Sequence, residues 1–156
     1  MENVNQNQKW TKVSEIELVY RTKVKVSERP QIQSSNDAYQ ILLQNWNLNL
    51  IELQEEFKML VLNRALRVLG IVNISRGSKS GTIADIGLIL VTAIKAGASS
   101  VIIAHNHPSG RLLPSQPDIQ LTRKLKMALD YHDIILADHL IITNEGYYSF
   151  VNQGAI

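Results

Sequence analysis

Residues 100–122 read SVIIAHNHPSGRLLPSQPDIQLT, and this stretch organises the rest of the chain. It opens with a short apolar run, 100–104, whose branched side chains are typical of a buried strand. The proline and glycine of 108–110 then turn the backbone sharply. Ser115, followed three residues later by Asp118, is a common helix start, with Pro117 in the first turn. The stretch therefore predicts a buried strand, a turn and a helix in succession.

The segments before this stretch predict two helices and a hairpin. Apolar residues at helical spacing predict a helix that begins at Ser34 and ends near residue 46. Two apolar runs separated by a short turn, 57–62 and 68–74, predict a β-hairpin in the core. Residues 83–96 are apolar on nearly all sides, which predicts a well-buried helix that stops at Gly97.

The segments after it predict one helix, over 119–131, and three short strands. The strands cover 134–136, 139–143 and 147–150. Helices that alternate with strands predict an α/β (α+β) domain over residues 35–156, with a mixed β-sheet flanked by helices. Residues 1–34 are expected to form an N-terminal arm with one strand, 17–26, where apolar and charged residues alternate.

The composition excludes several classes of protein. Of the 156 residues, 45% are apolar and 19% are charged, which is too apolar for a disordered chain. There is no cysteine, which excludes a disulfide framework, a thiolate zinc site and a cysteine nucleophile. No apolar run reaches the ~18–20 residues of a membrane helix, and the N-terminus lacks the apolar core of a secretion signal. We therefore expect a cytoplasmic protein without a membrane segment.

Two histidines stand where the strand of this stretch ends. His105 and His107 are two residues apart, so an extended backbone directs both imidazoles to one side, where they can converge on one cation. Asp118 is the nearest downstream acid, and its place at a helix start positions its carboxylate. Ser115 and Asp118 are equally an ordinary helix start, and a histidine is more often structural than a ligand, so these residues by themselves leave both interpretations open.

The longer pattern is more specific. His105-x-His107, seven residues, Ser115, two residues and Asp118 resembles the JAMM (MPN+) metalloprotease signature. HNHPSG at 105–110, PSQPDIQLT at 114–122, and DHLI at 138–141 followed by YSF at 148–150 resemble the RadC-type branch of that fold. The resemblance covers roughly residues 35–150 and implies a JAB/MPN (cytidine-deaminase-like) architecture.

The resemblance also implies a zinc-dependent hydrolase, a metallopeptidase or isopeptidase that acts on a protein or peptide. Family members ligate Zn²⁺ through two histidines and an aspartate, here His105, His107 and Asp118, with water in the fourth position. Three protein ligands leave zinc an open site, and zinc lowers the pKa of bound water toward about 7. The family's serine, here Ser115, stabilises the oxyanion through a hydrogen bond.

The family further needs a glutamate at the first strand of the core hairpin, as general base to the zinc-bound water. Glu55 and Glu56 both stand there. The RadC-type pattern has glutamate two positions before Phe57, which favours Glu55. Because neighbouring side chains of an extended strand point to opposite faces, only one carboxylate can reach the metal, and we expect Glu56 to be solvated.

Three more residues are candidates to support the site. Asp138 and His139 match the family, and the resemblance makes them candidates to hold a ligand imidazole. For His139 the alternative is an ordinary core-facing histidine at a strand start. Ser109 follows Pro108 and either donates a hydrogen bond into the site or serves the turn.

Two other functions remain as alternatives. The net charge is +2, and the name of the family comes from a DNA-repair attribution, but the sequence shows no groove-reading helix or stacking platform for nucleic acid. The first 35 residues are too short for the helix-hairpin-helix module of larger RadC-type proteins, so DNA contact through that module is not expected. A non-catalytic scaffold of the same fold is the other alternative, and the complete set of site residues argues against it. The sequence does not indicate an oligomeric state.

Overall fold

The computed structural model describes residues 13–15, 23–78 and 83–156. Five strands form one sheet in the order β2-β1-β3-β4-β5. The strands are β1 (Glu56–Leu62), β2 (Val68–Arg76), β3 (Ser100–Asn106), β4 (Ile135–Ile142) and β5 (Tyr147–Ser149). The helices are α1 (Ser35–Gln44), α2 (Ile86–Lys95) and α3 (Gln116–Asp130), preceded by a 3₁₀ turn, Val26–Glu28. The predicted α/β (α+β) class, with a mixed sheet flanked by helices, is confirmed.

The pairing of the strands determines which residues meet at the site. β1 is antiparallel to both β2 and β3, β3 is parallel to β4, and β4 is antiparallel to β5. The parallel pair requires a crossover, which α3 provides. Because β1 runs against β3, the start of β1 lies beside the end of β3, where Phe57 pairs with His105.

Each face of the sheet carries its own apolar core. Strand residues that alternate along the backbone separate onto the two faces. On one face Leu60, Ile102 and Leu140 pack with the buried side of α1. On the other face Met59 and Ile103 pack with α2 and α3. We refer to these as the α1 face and the α3 face.

The helix boundaries follow from capping that the sequence predicts. At the start of α1, the Ser34 hydroxyl accepts from the backbone N–H of Asp37, and the Asp37 carboxylate accepts from the N–H of Ser34. α3 starts with the equivalent box at Ser115. Gly97 follows α2 with a φ of 64°, the left-handed conformation that ends many helices.

Two predicted elements differ in the structure. The helix over 83–96 is not well buried: α2 buries Ile89 and Ala93, while Val91 is 57% exposed. The two strands expected at 134–136 and 139–143 are one strand, β4, which continues through Asp138 because that carboxylate finds hydrogen-bond donors inside the fold. Both errors come from interpreting side-chain polarity without the neighbours that receive it.

The predicted N-terminal strand is only partly described. Residues 17–22 of the predicted strand 17–26 lie outside the described residues, and 23–26 lead into the 3₁₀ turn Val26–Glu28 instead. Among the helices of the described residues, even α3, with 15 residues, is too short and too polar to cross a bilayer.

Candidate metal centre

The three predicted ligands meet at the carboxyl end of β3. His105 is the second-last residue of that strand and is buried, and His107 follows the strand directly. Asp118 lies in the first turn of α3. One ligand atom from each residue can be chosen so that all three lie within 4.8 Å of one another.

The distances between these atoms suit a tetrahedral zinc ion. His105 Nε2 lies 3.0 Å from His107 Nε2. Asp118 Oδ1 lies 3.3 Å from His105 Nε2, and Asp118 Oδ2 lies 3.5 Å from His107 Nε2. Ligands bound about 2.1 Å from zinc in a tetrahedron are ~3.4 Å apart. Two imidazoles and a carboxylate are also a donor set that zinc takes, so the residues present fit this ion.

A hydrogen bond at Nδ1 of His107 determines that Nε2 is the ring nitrogen free to bind a metal. His107 Nδ1 lies 2.8 Å from the backbone carbonyl oxygen of Arg111. A carbonyl oxygen only accepts hydrogen bonds, so Nδ1 carries the proton of the neutral ring. Nε2 is then unprotonated, and its lone pair is directed toward His105 and Asp118.

A chain of hydrogen bonds orients His105 in the same way. The Thr122 hydroxyl donates to the backbone carbonyl of Asp118 and therefore accepts from His139 Nδ1–H, both at 2.6 Å. His139 Nε2 is left as an acceptor for His105 Nδ1–H at 2.9 Å. Burial lowers the pKa of His139 well below its ordinary value, which favours this neutral form. His105 Nε2 is therefore unprotonated too, as a metal ligand requires.

Two imidazole lone pairs and a carboxylate thus face one point, and this arrangement calls for a cation. The hydrogen bond that a protonated His107 donates to Asp118 raises the pKa of His107 despite the opposing effect of burial. Burial alone would raise the pKa of Asp118, but hydrogen bonds from the protonated rings of His105 and His107 and from the Ser115 hydroxyl outweigh it and hold the pKa well below the ordinary value. A positive charge among these groups is stabilised, whether a proton or a metal ion supplies it.

Ser115 lies against the proposed carboxylate ligand. Its hydroxyl and its backbone N–H both donate to Asp118 Oδ2, each at 2.6 Å. The same hydroxyl accepts from the N–H of Asp118 at 3.3 Å. Ser115 therefore orients Asp118 as a helix cap, and its proton is committed to that carboxylate in this conformation.

Glu55 lies one residue before β1 and is half-buried. Its backbone N–H donates to the carbonyl of Ser78, and its carbonyl accepts from Gly77. Its negative charge contributes to the raised pKa of His107, which places the carboxylate within electrostatic range of the centre.

Glu56 is not solvated, contrary to the prediction. It is 3% exposed and pairs with Arg76 at 2.7 Å and Lys58 at 3.1 Å. Lys58 also donates to Asn73 at 2.6 Å. Alternation along β1 sends Glu56 to the face opposite Glu55, as predicted, and that is the α1 face, where Lys58 lies two residues along the same strand. The sequence does not show that Arg76 of β2 would lie beside them.

The three supporting candidates lie in different places. His139 contacts the His105 ring directly. Asp138 lies on the α1 face, away from the three ligands, and bonds Ser35 and Ser149. Ser109 lies in the turn after β3, where its hydroxyl accepts from the N–H of Arg111 at 3.4 Å.

Two residues that the sequence argument missed complete this arrangement. Thr122 links His139 to Asp118. It lies one helical turn after Asp118, so helix periodicity could have placed it on the same side. Asn106, between the two histidines, is fully buried and points to the α1 face, as strand alternation requires.

A cavity of about 420 Å³ lies beside His107. The segment before β1, the turn after β3 and the turn between β4 and β5 form its walls. Lining residues include Ile51, Glu52, Pro108, Ser109, Thr143 and Glu145. Of the three candidate ligands, His107 lines this cavity.

Comparison with known proteins identifies the family. A family model described as a RadC-like JAB domain matches residues 32–155. The chain belongs to the RadC-like JAB domain family. The five-stranded mixed sheet with three flanking helices is consistent with the JAB/MPN fold expected of this RadC-like JAB domain.

Relatives of the RadC-like JAB domain include several UPF0758 proteins. This chain is 40% identical over 144 residues to the UPF0758 protein of Flavobacterium johnsoniae, in an alignment that covers 91% of this chain and 61% of the relative. It is 44% identical over 104 residues to the UPF0758 protein of Porphyromonas gingivalis, covering 66% and 46%. UPF0758 protein YfjY of Escherichia coli is 39% identical over 103 residues, covering 66% and 64%. The chain thus spans between about half and two thirds of these relatives.

Proposed function

We propose that this RadC-like JAB domain is a zinc-dependent hydrolase of amide bonds, a metallopeptidase or isopeptidase whose substrate is a protein or peptide. The observation that supports it most is the direction of three acceptors. His105 Nε2, His107 Nε2 and an Asp118 oxygen face one point, while the other nitrogen of each imidazole is occupied by a hydrogen bond. This is how proteins prepare histidines to bind a metal.

His105, His107 and Asp118 would hold the ion. Bound Zn²⁺ supplies Lewis-acid chemistry, which activates water and polarises a carbonyl. The arrangement uses three protein ligands, the number typical of a catalytic zinc site with one open position. The Arg111 carbonyl, His139 and Thr122 keep the two imidazoles in the ligating tautomer.

Glu55 is the proposed general base. Its carboxylate accepts a proton from the attacking water and returns it to the leaving amine, a role that fits a half-buried carboxylate within range of the ligands. Ser115 is the proposed oxyanion donor. Because its hydroxyl donates to Asp118 in this conformation, that role requires the hydroxyl to rotate toward the substrate.

The cavity beside His107 is the proposed entrance for the substrate. Its size suits part of a peptide chain, with the rest of the substrate outside the domain. The cytoplasm is the compartment that we propose for this activity, because a chain without cysteine suits a reducing environment.

The experiment compares wild-type protein with Glu55→Gln, both loaded with one equivalent of Zn²⁺, on a pooled library of quenched fluorescent peptides and isopeptides. We expect wild type to cleave part of the library, and EDTA to abolish cleavage. Glu55→Gln should keep its zinc and lose at least ~100-fold in turnover, the usual contribution of a general base.

Glu28→Gln is the matched control, because Glu28 is exposed in the 3₁₀ turn before α1 and should leave turnover unchanged. Zinc-loaded wild type that cleaves nothing would favour the scaffold alternative. Tight DNA binding with a steep dependence on salt would favour the nucleic-acid alternative.

A further inference from the structure

We propose that Asn106, the residue between the two histidines, is a positioning residue that holds Glu55 beside the metal centre. The inference rests on the proposed function, in which Glu55 is the base. In the His105-Asn106-His107 sequence, alternate side chains of β3 would then serve two tasks: the histidines bind the metal on the α3 face, and the asparagine positions the base from the α1 face.

The contacts of Asn106 account for its whole side-chain amide. The residue is 0% exposed. Its Oδ1 accepts from the backbone N–H of Glu56 at 2.8 Å. Its Nδ2 donates to the backbone carbonyls of Ile51 at 2.6 Å and Gln54 at 2.9 Å. One side chain therefore binds three backbone groups of the segment that carries Glu55.

These partners lie on both sides of Glu55. Gln54 precedes it and Glu56 follows it, so fixing both limits where the Glu55 backbone can lie relative to β3. The pairing of β1 with β3 begins only at Phe57 and His105. Asn106 thus extends the connection between the two strands past the end of their ladder, to the residues next to the base.

On the side that faces β2, the segment around Glu55 has less regular backbone pairing. The pairing of β1 with β2 shifts register between Phe57 and Lys58. Before that shift, Glu55 is bound through Gly77 and Ser78, which follow β2. These contacts connect Glu55 to the residues that follow β2. The contacts of Asn106 connect the segment around Glu55 to β3, the strand that leads into the metal centre. A base displaced by about 1 Å can lose much of its effect.

Asparagine is suited to this task. The two carbonyls need N–H donors and the backbone N–H needs an acceptor, all within reach of a short side chain. Aspartate would offer no donor, and leucine, which is branched at the same atom, would offer neither donor nor acceptor. Asn106→Leu therefore removes the three hydrogen bonds while keeping the branching of the side chain and without adding a charge.

The test measures where the Glu55 carboxylate lies. The protein is labelled with ¹³C at the glutamate carboxyl carbon and loaded with Co²⁺, a paramagnetic ion that takes zinc sites. The resonance that is absent in Glu55→Gln identifies Glu55. In wild type we expect it to be strongly shifted or broadened by Co²⁺. In Asn106→Leu we expect that paramagnetic effect to be largely lost, while one equivalent of Co²⁺ still binds.

Asn63→Leu is the matched control, because Asn63 accepts two backbone hydrogen bonds in the turn at the other end of β1. It should lower the melting temperature yet keep the paramagnetic effect at Glu55. Asn106→Ser, which is neutral but too short to reach all three partners, is the second variant if Asn106→Leu does not fold. Asn106→Gln, which keeps both kinds of group, should recover part of the effect.

The outcomes separate the two proposals. An unchanged paramagnetic effect in Asn106→Leu or Asn106→Ser would overturn the positioning role and leave Glu55 as a candidate base. A wild-type protein that binds no Co²⁺ would contradict the proposed metal centre. One that binds Co²⁺ without any effect on Glu55 would contradict the proposed base, and the positioning role with it.

Discussion

The two faces of the sheet both bury polar side chains, but they balance hydrogen-bond donors and acceptors differently. On the α1 face, the Asp138 carboxylate accepts from the Ser35 and Ser149 hydroxyls and from the backbone N–H groups of His139 and Val151. Asn106 on the same face likewise has all its groups matched. These clusters are complete without any additional ion.

On the α3 face the balance is incomplete. His105, His107 and Asp118 direct three acceptors to one point, and the protons of both neutral imidazoles are used elsewhere. This contrast separates a structural polar cluster from a binding site. A buried carboxylate with enough donors stabilises the fold, whereas two imidazole lone pairs and a carboxylate that converge on one point, with no donor at that point, need a cation.

The largest effect that we expect tests the incomplete face. His107→Ala removes one of three zinc ligands and should weaken zinc binding by at least ~1,000-fold, or about 4 kcal/mol. Isothermal titration with a competing chelator measures the change. His132→Ala removes an exposed histidine just after α3 and should bind zinc like wild type. One tightly bound zinc in His107→Ala would contradict the assigned ligand set.

A second prediction tests the complete face. Asp138→Ala leaves two serine hydroxyls and two backbone N–H groups in the interior without their hydrogen-bond acceptor. We therefore expect the free energy of unfolding to fall by about 3 kcal/mol. Zinc affinity should be unchanged, because Asp138 contacts none of the three ligands.

Urea denaturation of the metal-free protein measures this loss, with Asp130→Asn as control. Asp130 is exposed, and its one ion pair within the described part of the chain is with Lys126, so its change should stay within about 0.5 kcal/mol. A large loss of zinc affinity in Asp138→Ala, with stability intact, would mean that the two faces are not separate.

A third and smaller effect tests the hydrogen bonds that orient His105 on the α3 face. Thr122→Val is nearly isosteric but removes the oxygen that joins His139 to Asp118. Without it His139 loses the partner that sets its tautomer, and zinc affinity should fall about 10-fold. Thr92→Val is a closely matched control, because Thr92 donates to the backbone carbonyl one turn earlier in α2. If both variants bind zinc equally well, the hydrogen bonds that run from Thr122 through His139 to His105 do not affect the zinc affinity.

Predictions from the sequence hold where the local pattern of residues itself causes the structure, as in strand alternation and helix capping. Alternation in β3 predicts that the two histidines share a face, and the capping pattern predicts that α3 starts at Ser115. Such predictions fail where burial depends on a distant segment. The apolar circumference of residues 83–96 predicted a buried helix, but only one side of α2 meets the sheet.

The same limit applies to single polar residues. Glu56 is expected from the sequence to be solvated, but it is buried because Lys58, two residues along β1, and Arg76, from β2, lie beside it. Asp138 is buried against Ser35, which lies more than a hundred positions away in the sequence. No local pattern encodes the partners that come from other segments, Arg76 and Ser35.

The class of fold, the family and the residues that can serve as ligands follow from the amino-acid sequence, because strand alternation, helix capping and motif spacing are local properties of the chain. The folded structure was needed to show which nitrogen of each imidazole faces the centre and which face Asp138 occupies. It alone also showed that Asn106 contacts the segment around Glu55. These depend on hydrogen bonds between segments far apart in sequence, which form only when the strands and helices pack together.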